Sequence, residues 1–253
     1  MKIAGVLAKA DEEAFFRERA ATHRKAFRET FYVSETGLFR DGDATDHVSL
    51  HANMFPLAFG MVEPEDVGRV VEFIKSRGMA CSVYGAHYLL DALFLAGEAD
   101  CALELMTAET KRSWMNMLRV GSTMTTEAWD EDYKRNLTWN HAWGSAPAIS
   151  IARRLMGITP LDAGFARFRI APQPGSMKRA SFRQECIRGT IGVDLKNESG
   201  QWELEVEIPG NSEAELWIPD SKESVVVNGA NGAIGRSERF ARQDWHVILL
   251  GPG

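Results

Sequence analysis

The chain has 253 residues and a mass of 28.1 kDa, with 29 Lys and Arg against 35 Asp and Glu for a net charge of −6. Its 45% hydrophobic and 25% charged content is that of an ordinary folded protein, long enough for one large domain or two modest ones. The acidic balance disfavours nucleic acid and anionic membranes as partners, and no apolar run approaches the roughly 20 residues that cross a bilayer.

From Met1 to about Met156 the apolar residues recur at helical spacing. Lys2 and Lys9 flank a short apolar stretch that lacks a signal-peptide cleavage site before Asp11-Glu12-Glu13, so localisation stays open. Ala10 to Tyr32 places Phe15, Phe16, Ala20, His23, Ala26, Phe27 and Phe31 on roughly one helix face. Ser34 to Gly37 breaks that helix. Further helices are expected over His47–Met61 and Pro64–Arg77, the latter with Pro64 in its first turn and Gly78 at its C-cap. Tyr84–Leu95 and Glu98–Leu118 read as a tight antiparallel pair joined by Ala96-Gly97. After an irregular stretch, Trp139–Met156 returns to helix. Such a succession predicts stacked helical hairpins.

Past Pro160 the period drops to two. Phe168-Arg-Ile170 leads into the turn Pro172-Gln-Pro174-Gly175, and strands are expected at Thr190–Leu195, Trp202–Ile208, Ala214–Ile218, Val225–Val227 and His246–Leu250. Asn228-Gly229 and Asn231-Gly232 are turn dipeptides. Short strands at this spacing predict an antiparallel β-sandwich. The chain is therefore read as a helical domain over 1–158 and a β-domain over 159–253. Cys81, Cys101 and Cys186 are odd in number and far apart, and are expected as buried reduced thiols rather than a disulfide or zinc framework. The histidines form no HExxH pattern, so no metal or other cofactor is expected.

The densest group of chemistry-bearing side chains runs from Gly121 to Gly144. Glu127 lies between threonines and Trp129-Asp130, and Asn140, His141 and Trp143 follow closely. Indole rings stack on sugar faces while Glu, Asp, Asn and His hydrogen-bond hydroxyls. A water-activating carboxylate among aromatics is what glycoside hydrolysis requires. On composition alone the alternative stands beside it, in which the tryptophans fill a core and Glu127 caps a helix.

The order of these residues resembles glycoside hydrolase family 78, the α-L-rhamnosidases. The stretches that carry the resemblance are Thr125-Thr-Glu127-Ala-Trp129-Asp130, Asn140-His141-Ala-Trp143-Gly144 and Phe168-Arg-Ile-Ala-Pro-Gln-Pro-Gly175. Upstream, Glu35–Phe39, His51–Asn53, Leu57–Gly60 and Tyr88–Ala92 are similar to the family's later barrel helices. Thr126 stands where the family often has Trp, and Gly144 falls one residue early. The resemblance implies the later part of an (α/α)6 barrel followed by the C-terminal β-sandwich. It implies Glu127 as the general base of an inverting hydrolase and His141 as a sugar contact. It further implies Trp129 and Asp130 as the segment that shapes the pocket, flanked by Asn140 and Trp143. The substrate implied is a rhamnose-containing carbohydrate. Nothing in this sequence matches the family's general-acid segment, so the isolated chain is expected to be weakly active or inactive and to self-associate across the open barrel face. The alternatives are a non-catalytic carbohydrate-binding or scaffold protein, and a related barrel glycosidase acting on another sugar.

Overall fold

A computed structural model describes residues 2–198, 201–219, 232–240 and 243–251. The chain divides into two compact units, Met1–Arg77 and Gly78–Gly253.

In the first unit, α1 (Lys2–Val6) and α2 (Ala10–Phe31) are followed by a two-stranded hairpin, β1 (Tyr32–Val33) and β2 (Leu38–Phe39), then by α3 (Leu50–Ala58) and α4 (Val67–Arg77). The expected apolar face of α2 is not covered within this unit. None of its residues is buried, and Phe15 and Phe16 are exposed. Its C-terminal end does pack, with Phe27 stacked on the fully buried Phe39 at 5.2 Å between ring centroids. The α3 helix is shorter than its apolar pattern predicted. Asp41 accepts the Ser49 N–H at 3.0 Å, which holds the approach in a loop, and Ser49 then caps the helix by accepting from the Ala52 N–H. Buried Asn53 serves as an artificial strand partner for β2. Its Oδ1 accepts the Phe39 N–H and its Nδ2 donates to the Phe39 carbonyl, each at 3.0 Å, so both main-chain groups of this buried residue have partners.

The second unit begins with α5 (Gly85–Leu95), apolar nearly all round and mostly buried, as a helix at the centre of a packed layer must be. The helix expected over Glu98–Leu118 is two helices, α6 (Ala99–Thr107) and α7 (Trp114–Arg119). The break falls at Ser113, whose hydroxyl accepts the Asn116 N–H at 3.1 Å. This fresh N-cap starts a new helix without any glycine or proline to announce it. The last helical segment is also shorter at its front. It consists of a 3₁₀ turn (Ala142–Ser145), α8 (Ala146–Ser150) and a single π turn (Ile151–Leu155). Arg154 pins it to α5 through a 2.9 Å contact with Asp91.

The strands make two sheets. One has five strands in the order β3 (Ile158–Pro160), β4 (Arg167–Ile170), β8 (Glu213–Pro219), β10 (Gln243–Leu250) and β9 (Gly232–Phe240). The other is a meander of β5 (Arg179–Cys186), β6 (Gly189–Glu198) and β7 (Gln201–Glu207). The strands expected near 190–195, 202–208, 214–218 and 246–250 are present, whereas Val225–Val227, Asn228-Gly229 and Asn231 lie outside the described residues. One pairing departs from the antiparallel expectation: β4 and β8 run parallel, Phe168 opposite Ala214 and Ile170 opposite Leu216. Parallel neighbours need a long crossover, and here the whole β5–β7 meander supplies it. Ala171, Trp217, Trp245 and Val247 form a buried apolar cluster. Of the cysteines Cys81 is buried, its thiol pushed up to about 12 by that burial, while Cys101 and Cys186 are half-buried.

The junction between helices and sheet depends on one residue without a side chain. Gly157 has φ +74°, and a Cβ there would lie 2.2 Å from the Ala171 carbonyl carbon and oxygen. Left-handed backbone costs an L-residue about 1–2 kcal/mol, and the displaced neighbour is main chain that cannot rotate away. Gly157→Ala is therefore expected to destabilise the protein by about 2–4 kcal/mol, read as a lowered urea midpoint with an unchanged slope. An unaltered midpoint would contradict this.

Candidate active site

Between α7 and the 3₁₀ turn the chain makes a long excursion, from Val120 to His141, without regular secondary structure. Segments of this kind inside a compact unit are commonly functional. This one is closed by paired main-chain bonds. Glu127 N–H donates to the Thr138 carbonyl at 3.0 Å, and His141 N–H donates to the Thr125 carbonyl at 2.8 Å. The Thr125 hydroxyl adds a bond to the His141 carbonyl at 2.8 Å. These links bring residues 125–127 against 138–141, which is why helix cannot begin at Trp139 as its sequence pattern predicted. Gly144 permits the same approach from the next turn, since a Cβ there would meet the Thr125 Cβ at 2.6 Å. The Trp114 indole N–H donates to the Gly144 carbonyl at 2.7 Å and ties the turn to α7.

Glu127 is half-buried, and its carboxylate is held from two sides. Lys134 Nζ ion-pairs with Oε1. Oε2 accepts the Thr138 N–H at 3.1 Å and faces the Thr138 hydroxyl at 3.3 Å. The Lys134 ammonium, and after it the Thr138 N–H, hold the carboxyl below the ordinary glutamate range, because both favour the charged form. The Thr138 hydroxyl also lies 2.6 Å from His141 Nδ1. The His141 ring in turn lies 4.0 Å from the Trp143 ring, which is 41% exposed, and Trp143 meets Tyr84 at 5.2 Å. Glu127, His141 and Trp143 thus share one neighbourhood, with an aromatic surface at its edge. Asn140 is exposed beside it.

Trp129 and Asp130 lie on the other side of this segment, in the packing. Trp129 is 2% exposed, donates its indole N–H to the Cys81 carbonyl at 2.8 Å and meets Trp114 edge to face at 5.2 Å. Asp130 is buried. It accepts from Asn116 Nδ2 at 3.1 Å and from the Asp132 N–H at 2.9 Å. Together they anchor the excursion to α7 and to the irregular stretch before α5. Next to them Thr126, Asp130, Leu137 and Trp139 help to line a cavity of about 280 Å³. Reasoning from sequence singled out Glu127 and His141 but not their partners Lys134 and Thr138. Lys134 gave no signal, because its approach depends on the irregular path of the loop. Thr138 gave none either, because its hydroxyl meets Glu127 and His141 only once 138–141 has folded against 125–127.

A family model described as the bacterial alpha-L-rhamnosidase 6 hairpin glycosidase domain matches residues 1–153, and one described as the bacterial alpha-L-rhamnosidase C-terminal domain matches residues 157–233. An α-L-rhamnosidase of Formosa agariphila is 28% identical over 263 residues, spanning 98% of this chain and 28% of that protein. One of Streptomyces avermitilis is 28% identical over 207 residues, spanning 78% of this chain and 20% of the relative. Among solved structures, the α-L-rhamnosidase of Dictyoglumus thermophilum superposes with a TM-score of 0.81 at 21% identity, covering all of this chain and 29% of that one. The Streptomyces avermitilis α-L-rhamnosidase complexed with L-rhamnose superposes at 0.79 with 24% identity, covering all of this chain and 24% of that one. The chain thus spans less than a third of the length of these relatives.

The Lys134–Glu127 pair carries a pH dependence of defined sign. A carboxyl lowered in the folded state adds stability that is complete above the ordinary glutamate value and is lost as the pH falls through the lowered one. Lys134→Met is expected to move the Glu127 titration up toward the ordinary value of about 4.3, followed by carboxyl ¹³C NMR. A titration unchanged in the variant would show that Lys134 does not act on this carboxylate.

Proposed function

This chain belongs to the bacterial α-L-rhamnosidase family, and we propose that it supplies the water-activating side of an inverting rhamnosidase, with Glu127 as general base. The observation that carries the reading is the state of Glu127: a half-buried carboxylate, ionised and oriented by Lys134 and Thr138, beside His141 and the exposed Trp143.

In this reading a water bound at Glu127 attacks the anomeric carbon from the face opposite the leaving oxygen, and the carboxylate takes its proton as the new bond forms. The products are free rhamnose of inverted anomeric configuration and the released alcohol. Inversion leaves room for that water between two carboxyl groups roughly 6.5–9.5 Å apart. Glu127 is one of the two. A base acts best near its operating pH, and the ammonium of Lys134 works against that while it stays paired. A sugar hydroxyl that draws Lys134 away from Oε1 raises the basicity of Glu127 when the substrate is seated. His141 and Trp143 hold the sugar by hydrogen bonding and ring stacking, with Asn140 at the margin. Trp129 and Asp130 serve the pocket from beneath, by fixing the loop that carries Glu127. The substrate class is a rhamnose-containing carbohydrate. The acid that assists the leaving group has no match in this sequence, which supports low turnover by the chain on its own.

Release of p-nitrophenol from an aryl α-L-rhamnoside tests the reading. Glu127→Gln is expected to lower kcat about 10²–10⁴-fold in a protein that contains this chain and is active, without loss of folding. Equal turnover would remove Glu127 from the role of base. Sugar binding that persists with no turnover under any condition would favour a carbohydrate-binding protein.

Self-association of the isolated chain belongs to the same proposal. Met115, Leu118 and Met124 are exposed around an apolar cavity of about 440 Å³ that is also lined by Trp114 and Met117, and open apolar surface of this kind favours association. Sedimentation is expected to show species larger than a monomer, diminishing in Leu118→Glu. A monomer at all concentrations, with no binding of a hydrophobe-sensing dye, would refute it.

A further inference from the structure

The Thr138 hydroxyl stands between two groups that both want its single proton. Its Oγ1 is 3.3 Å from Glu127 Oε2 and 2.6 Å from His141 Nδ1. An ionised carboxylate accepts only, a hydroxyl donates once, and a neutral imidazole donates from one nitrogen and accepts at the other. Two arrangements follow. If Thr138 donates to Nδ1, its oxygen faces the carboxylate oxygen with no hydrogen between them. If Nδ1–H donates to Oγ1 instead, the hydroxyl hydrogen is released to Glu127, and every contact has a donor and an acceptor. Hydrogen bonds to an ionised acceptor are the stronger kind, so the second arrangement wins on both counts. The ring has little freedom to escape this choice. The His141 N–H is held by the Thr125 carbonyl at 2.8 Å, and the imidazole lies 4.0 Å from Trp143 at an interplanar angle of 34°.

We propose that Thr138 is a positioning residue that fixes His141 as its Nδ1–H tautomer, in a relay from His141 Nδ1–H to Thr138 Oγ1–H to Glu127 Oε2. Its consequence is at the other nitrogen. Nε2 carries a lone pair and presents an acceptor, so the partner it selects is a hydroxyl that donates, as on a sugar. The proposal deepens the reading of Glu127 and His141 as the working pair and rests on that reading for its relevance to catalysis. The tautomer itself is a property of the unliganded chain. It is measured without turnover, so a failure of the relay and a failure of the hydrolytic reading are seen separately.

The test is ¹⁵N NMR of the His141 ring in the whole chain, at a pH where the imidazole is neutral, with Thr138→Val and Thr138→Ser beside it. Valine keeps the branched shape and the Thr138 N–H bond to Glu127 but removes the hydroxyl. The native protein is expected to give a pyrrole-type Nδ1 and a pyridine-type Nε2. Thr138→Val is expected to exchange those two signatures, and Thr138→Ser to restore them. A native His141 protonated on Nε2 would overturn the proposal, as would an Nδ1–H form that survives in Thr138→Val. Should Thr138→Val fail to fold, Thr138→Ala decides. It also removes the hydroxyl, keeps the residue's N–H bond to Glu127, and is expected to move the ring proton to Nε2. Retention of the Nδ1–H form there would overturn the relay.

Discussion

The pair of main-chain bonds that closes the excursion between Val120 and His141 is the constraint on which the site depends. Glu127 N–H to the Thr138 carbonyl and His141 N–H to the Thr125 carbonyl bring together two stretches that are remote along the loop. Each side chain of chemical interest is carried by one of those stretches or touches it. An irregular segment has no ladder of its own to resist thermal motion, so a short stretch of strand-like pairing does for it what a sheet does for a strand. Trp129, driven into the core with its indole N–H on the Cys81 carbonyl, fixes the segment from below. The position of Glu127 is thus determined in part by packing two residues along the chain from it.

That division of labour explains the two kinds of tryptophan in one short stretch. Trp129 is in the core and Trp143 is on the surface, although both sit in an aromatic and polar neighbourhood in the sequence. A buried indole needs an acceptor for its N–H, and Trp129 has one in the Cys81 carbonyl. Trp143 keeps an exposed ring, braced by His141 on one side and Tyr84 on another. Similar residues with different duties are separated by which hydrogen bonds the fold offers them.

Much of the architecture was legible in the sequence because it follows from period. The change from helical spacing to alternation near Pro160, the tight Ala96-Gly97 connection and the strands β6 and β7 all express local patterns, whereas β5, whose one large apolar residue is Phe182, was not among the strands expected. The misreadings share a physical cause. The division of Glu98–Leu118 turns on one hydroxyl, that of Ser113, which competes with the continuing helix by capping a new one. The late start of the final helix follows from backbone groups at 138–141 that were already engaged by residues at 125–127. The parallel β4–β8 pair is a fact about partners, and alternation along a strand is silent on partners. In the site, Glu127 and His141 were visible as residue types in order. Lys134 and Thr138 acquire meaning only once the loop has folded back.

The same β4–β8 pair bears on the order in which the β-region can be made. Each hairpin of the meander closes locally, with β5 against β6 and β6 against β7. The β4 strand, by contrast, has only the short β3 beside it until the meander and β8 have been synthesised. Pairings that span more chain are slower to form because more loop entropy is lost before any contact is gained. During synthesis the edge of β4 that β8 will later cover is therefore open to other strands, and the quick folding of the meander shortens that exposure by drawing the two ends of the crossover together.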